Sequence, residues 1–201
     1  MPKNIFVCVL LLFSLPLAAQ PEKPGNERIT ALFDAHFGQA LLFFMPEKLP
    51  LEIERTQTGM VKKLDQYVNA GVVKRENTRF LAEKMMYGEL REVSVGGYTY
   101  SLNMDSQWVS EKGIYYGRPR VREVLEISPP TQIDEHFFCE VYLSWYADQL
   151  PDWLDKIDWR QERILKRARE SAQKPFEKRL NFEFKEGKWE LWLAKNPQTL
   201  F

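Results

Sequence analysis

The sequence predicts an α+β protein: N-terminal helices, then an antiparallel sheet with one charged helix and a C-terminal hairpin. Three observations carry this. Apolar residues between Glu27 and Phe44 recur at helical spacing, and those between His136 and Tyr146 alternate with period two. Glycine-containing steps at Gly96-Gly97 and Glu186-Gly187 separate extended runs, as hairpin turns do. Helices gathered at the front and strands behind them mark an α+β chain rather than an alternating α/β one.

The chain begins with an export signal in its proper order. Lys3 supplies a basic start, Ile5 to Leu17 is an apolar run, and Leu17-Ala18-Ala19 offers small residues for cleavage. An uncleaved membrane anchor is the alternative, but the run falls short of the roughly 20 residues a spanning helix needs. The expected division is a signal peptide over 1–19, a flexible leader over 20–25 and one α+β domain over 26–201. The expected location is periplasmic or secreted, with no stable membrane insertion after cleavage.

Loss of Lys3 moves the formal net charge from +0 to about −1. A general nucleic-acid binder shows a strong basic excess, so nucleic acid is not an expected partner. Cys8 departs with the leader, and Cys139 then stands as a lone thiol that cannot form an internal disulfide.

From Asn26, which is a suitable cap, a helix is predicted to Phe44 with Ile29, Leu32, Phe33, Phe37, Ala40, Leu41 and Phe44 on one face. Pro46 and Pro50 prevent its continuation. A short extended piece, Leu51 to Arg55, precedes a helix from Thr58 to Ala70, which Gly71 stops. Val72 to Tyr87 reads as strand-like, although Phe80 to Met86 fits a helix equally well. Gly96-Gly97 is predicted to turn a hairpin between Arg91–Val95 and Tyr98–Met104. Ile114 to Tyr116, Val121 to Ile127 and His136 to Tyr146 are further strands. Leu154 to Ala172 is predicted as the charged helix, and Arg179–Phe184 with Lys188–Leu193 as the final hairpin.

Leu64 to Val73 contains a helix end of the form Ala-Gly-apolar-apolar leading into extended residues, and resembles a winged-helix unit over 26–104. Residues 105–201 would then form the antiparallel sheet part. With Tyr116-Gly117, Val121, Val124, Val141-Tyr142 and Leu150-Pro151-Asp152-Trp153, the spaced pattern from Leu64 to Trp153 resembles a group of uncharacterised exported bacterial proteins. That resemblance implies a shape and an address, and no activity.

Searching for chemistry excludes more than it finds. His36 and His136 are a hundred residues apart, and no HxxxH or CxxC surrounds them. His136 and Cys139 are three apart on a strand, which places them on opposite faces. Neither a GxSxG elbow nor a glycine-rich phosphate loop is present. Cys139 shares a strand face with Phe137, Val141, Leu143 and Trp145, and reads as a core residue. Asp105, Glu111, Asp134 and Glu135 lie near strand ends, where paired carboxylates of a glycosidase would stand.

Two features point to binding. Arg118, Arg120 and Arg122, if extended, form a row on one side of a strand, spaced to hold carboxylates or phosphates. The alternative is a charged edge guarded against aggregation. Trp153, in a loop after Pro151, is expected to remain partly exposed. The reading that follows is an exported, non-catalytic binding or accessory protein of the cell envelope, without a cofactor. Its expected partner is an acidic protein or an anionic envelope component, met by Arg118, Arg120, Arg122 and Trp153. The alternative is a carboxylate-based hydrolase of envelope polysaccharide, and a structural oligomer with free strand edges is third.

Overall fold

The computed structural model describes residues 20–193 and 200. The signal peptide expected over 1–19 lies outside the described residues. The architecture is α+β, with antiparallel sheets.

In chain order the elements are α1 (Asn26–His36), β1 (Leu42–Phe44), β2 (Leu51–Glu54), α2 (Thr58–Asn69), β3 (Val73–Met86) and β4 (Glu89–Leu102). There follow β5 (Val109–Ser110), β6 (Gly113–Ile127), β7 (Thr131–Ile133) and β8 (His136–Asp148). Two 3-10 turns, Asp152–Lys156 and Trp159–Gln161, lead to α3 (Arg163–Glu170), and β9 (Phe176–Lys185) and β10 (Lys188–Leu191) complete the order. The larger sheet runs β1-β6-β8-β9-β10, with β5 on β6 and β7 on β8. The smaller runs β2-β4-β3.

β8 is the spine of the larger sheet. Its alternation places Cys139, Val141, Leu143, Trp145 and Ala147 in the interior. Leu180 and Phe182 of β9 face the same way, opposite Val141 and Cys139. Ile29 and Phe33 of α1 and Leu64 and Tyr67 of α2 join them in one continuous cluster with Ile53 and Tyr100 of the smaller sheet. Burial of this apolar surface is the main force joining helices to sheets. Gln20–Gly25 lies against the same body: the Trp189 Nε1 donates to the Glu22 carbonyl at 2.9 Å, and Pro24 is buried.

Four sequence expectations are corrected. The first helix stops at His36, not Phe44, and Gly25 rather than Asn26 occupies the cap. Leu42–Phe44 pairs instead with Gly117, Tyr115 and Ile114, because a long-range strand partner outweighs local helical periodicity. The hairpin expected at Gly96-Gly97 turns at Tyr87-Gly88, both at positive φ (52° and 85°), so β4 passes unbroken through the glycines. Gly97 has a different use. A Cβ there would lie 2.4 Å from the Ile53 carbonyl oxygen and 2.6 Å from the Phe80 ring, so the strand crosses where only a bare backbone fits.

The charged helix expected from Leu154 to Ala172 is two 3-10 turns and only eight residues of α-helix. Trp153, Leu154 and Ile157 are buried at a spacing that suits a 3-10 turn, and the Asp158 amide is drawn to Gln66 Oε1 of α2 at 2.7 Å. Glu162 then caps α3 in an extended conformation while its carboxylate meets Lys63, 3.2 Å away, which also holds Glu47 at 3.0 Å.

β3 and β4 form a ribbon longer than its support. β2 covers only Gly97 to Tyr100 of β4, and beyond that the ribbon projects with most residues exposed. It curls as it goes: the Lys84 ammonium reaches Glu54 Oε2 at 2.8 Å, although Glu54 stands against Gly97 near the root. This hydrogen bond to Lys84 holds the Glu54 carboxyl below the usual carboxylate range.

Candidate functional site

The arginine row divides into three fates. β6 and β8 pair from Arg118 opposite Asp148 to Ile127 opposite Val141, with register shifts at Val121/Glu123 and Val124/Glu126. The first shift is a β-bulge, so Arg122 has no partner residue across the ladder and leaves the row. Arg120 is neutralised within the protein: its guanidinium lies 3.4 Å from Asp34 Oδ2 of α1 and 3.7 Å from Asp148 Oδ2. Three evenly projecting arginines are therefore not what the fold presents, because the bulge breaks the period of two on which the row depends.

Arg118 is the exception. Its Nε is buried and lacks a hydrogen-bond partner among the described residues, while the carboxylate across the ladder, Asp148, is turned to Arg120. An unpaired buried donor on a permanent cation is costly to leave unmade. The side chain lines a cleft of about 410 Å³ whose other walls include Leu41, Phe43, Trp108, Tyr115 and Gln149.

Local sequence explains how these walls form. Gly113, at φ 126° and with the Phe44 carbonyl oxygen only 2.8 Å from where a Cβ would stand, lets β1 close over the β5–β6 turn. Val109 and Ser110 pair with Ile114 and Gly113, which sets Trp108 beside Tyr115. Their rings stack with centroids 5.7 Å apart and planes 12° from parallel. The Tyr115 amide donates to the Trp108 carbonyl at 2.7 Å, and the Tyr115 hydroxyl to the Gln149 carbonyl at 3.1 Å. Gly117, at φ 156°, lies against Asp148 and Leu150 and brings the chain to Arg118. Leu41, Phe43, Val109 and Ser110 also line a neighbouring cavity of about 790 Å³ with Met104, Glu111 and Lys112. The result is an aromatic and apolar groove lined by Arg118, which has no ion pair among the described residues, an arrangement suited to a carboxylate-bearing ligand.

Trp153 is not part of any such surface. It is 1 % exposed, its Nε1 donates to the Tyr115 carbonyl, and its ring lies 6.3 Å from that of Tyr67. The expectation of a partly exposed tryptophan fails because the 3-10 turn that follows Pro151 carries Trp153 and Leu154 into the interior while Asp152 stays exposed.

Cys139 is 2 % exposed, and burial pushes its thiol up to about 11. A thiol so placed is a core residue, not a nucleophile. The side chain of His136 instead lies 2.7 Å from Glu183. Among the described residues no group of histidine, cysteine and carboxylates is placed to hold a metal ion. Asp134 and Glu135 occupy the turn between β7 and β8, and Asp105 is engaged by Lys74 at 2.5 Å, which lowers its carboxyl. The cavities beside α3, β5 and α2 are each lined by a single carboxylate: Glu170, Glu111 and Asp65 respectively.

Sequence reasoning missed Trp108, Tyr115 and Gln149 as a unit. The available signal was the tight turn Glu111-Lys112-Gly113, which places residues on either side of it next to one another. Comparison with protein-family models, curated proteins and solved structures finds no match for this chain.

Proposed function

We propose that this chain is an exported, non-catalytic binding protein of the bacterial cell envelope, which holds a carboxylate-bearing partner at Arg118. The observation that carries the reading is Arg118, which lines the cleft beside the stacked Trp108 and Tyr115 and whose Nε has no hydrogen-bond partner among the described residues. A guanidinium donates two parallel hydrogen bonds to a carboxylate, and the aromatic wall contributes apolar contact on one side of the same ligand. The signal-like sequence at 1–19 supports a periplasmic or secreted location. No helix among the described residues is long and apolar enough to cross a membrane.

The test uses the chain from Gln20 to Phe201 with two probes, an oligogalacturonate and a hexaglutamate peptide, and a neutral glucose oligomer as control. Intrinsic tryptophan fluorescence, to which Trp108 in the cleft contributes, reports occupancy. The expected result is saturable quenching by one acidic probe but not by the neutral one. Arg118→Ala abolishes it, while Arg122→Ala leaves it intact. Equal responses of the two variants, or no response to either acidic probe, would overturn the reading.

A further inference from the structure

The projecting β3–β4 ribbon carries a pattern of its own. β3 is an edge strand in the order β2-β4-β3, and its pairing with β4 runs without a bulge from Val73 to Met86. A long, regular, proline-free edge is what folded proteins ordinarily cover or interrupt. One face of the distal ribbon is also unusually apolar: Leu81 is 65 % exposed, Met85 69 % and Leu90 59 %.

The charges on that same face are left unsettled within one chain. Glu83 lies directly across from Glu92, a like-charge pairing that destabilises a ribbon. Arg79 lies across from Gly96, which has no side chain to meet it. No ion pair or side-chain hydrogen bond engages Arg79, Glu83 or Glu92 among the described residues. Leu81 stands midway between Arg79 and Glu83.

We infer that β3 pairs antiparallel with β3 of a second copy of this chain, about a two-fold axis at Leu81. In this register Leu81 meets the second copy's Leu81. Each Arg79 meets the second copy's Glu83, so one operation settles both faults twice. The symmetric arrangement is the closed kind that homodimers adopt. Asn77 then lies opposite the second copy's Met85, carrying the exposed tip of each ribbon over the root of the other.

Neighbouring registers with the same faces matched do worse. Shifting the axis to Arg79 sets the two Arg79 side chains against each other. Shifting it to Phe80 uses Glu76 with Lys84, but Lys84 is already held by Glu54. A lipid surface fits less well, because the ribbon end also carries Glu83, Glu89 and Glu92.

Sedimentation equilibrium on a dilution series of Gln20–Phe201 tests this, with circular dichroism confirming that each variant folds. A reversible dimer is expected. Arg79→Glu and Glu83→Arg each weaken it by about tenfold or more, and the double exchange restores it, since the pair is then reversed rather than lost. Leu81→Cys forms a covalent dimer on mild oxidation. Ser94→Cys does not, because three inter-strand spacings of about 4.8 Å separate the two copies there, beyond disulfide reach. A chain that stays monomeric at all concentrations overturns the inference, whether or not it pellets with phosphatidylglycerol vesicles. So does a dimer indifferent to both single reversals, a double exchange that fails to restore it, or cross-linking through position 94 as readily as through 81.

Discussion

The Trp153 indole Nε1 donates a 2.9 Å hydrogen bond to the Tyr115 carbonyl, and Tyr115 is the residue on which Trp108 stacks. A fully buried tryptophan thus holds the back of the strand whose front forms the cleft. Trp153→Phe keeps most of the packing and removes the donor, leaving the carbonyl unpaired in the interior. The expected cost is about 1–3 kcal/mol of stability by urea denaturation.

Gly97 and Gly96 separate crowding from conformation. An alanine Cβ at Gly97 would meet the Ile53 carbonyl oxygen and the Phe80 ring, whereas Gly96 has nothing within 4 Å. Gly97→Ala is expected to cost about 1–3 kcal/mol, as overpacking does. Gly96→Ala should be neutral or stabilising by about 0.5–1 kcal/mol, since glycine is a poor strand residue. Paired thermal melts decide it, and equal effects at the two positions would remove the close-approach argument.

Ser171 is buried and links α3 to β8: its Oγ accepts from the Ala147 amide at 2.9 Å and donates to the Ala168 carbonyl at 2.5 Å. Ser171→Ala leaves the Ala147 amide without that partner. A loss of about 1–3 kcal/mol is expected. Amide hydrogen exchange at Ala147 should accelerate more than at Leu143, which keeps its sheet partners.

Alkaline pH should destabilise the fold. Burial raises Cys139 to about 11, and Tyr116 and Tyr100 each to about 12, the last also through its hydrogen bond to Asp65. All three are neutral in the native state where the unfolded chain has begun to ionise. The unfolded state therefore binds fewer protons above about pH 9, and stability falls as pH rises from there through the native values. Urea midpoints at pH 8, 9.5 and 10.5 should decline in order. In the same buffers a thiol reagent should label Cys139 only as fast as the chain opens, and immediate labelling at pH 8 would contradict its burial.

Legibility followed the range of the determining contact. The interior face of β8 could be read because alternation is local and its burial nearly complete, so Cys139, Val141, Leu143 and Trp145 fall where the pattern put them. α2 and its stop at Gly71 were equally plain, with the helix closing at Asn69 and Gly71 at φ 79°. The Glu186-Gly187 turn was readable for the same reason, both residues standing at positive φ (51° and 81°). At Gly96-Gly97 the same rule misled, since a glycine pair serves a tight turn and a close crossing alike, and only the distant Ile53 distinguishes them.

By itself the sequence determined the α+β class, the inward face of the central strand, the second helix and the last hairpin. Each of these rests on periodicities and turn residues within a few positions of one another. Tertiary structure alone decided that Leu42–Phe44 is a strand, that Trp153 is interior, and that Arg122 falls in a bulge. It also decided which arginine is paired within the protein. Asp34 and Asp148 are brought to Arg120 from α1 and β8, so the carboxylate across the ladder from Arg118 serves its neighbour instead. Charge compensation depends on distance in space, and spacing along the chain does not encode it.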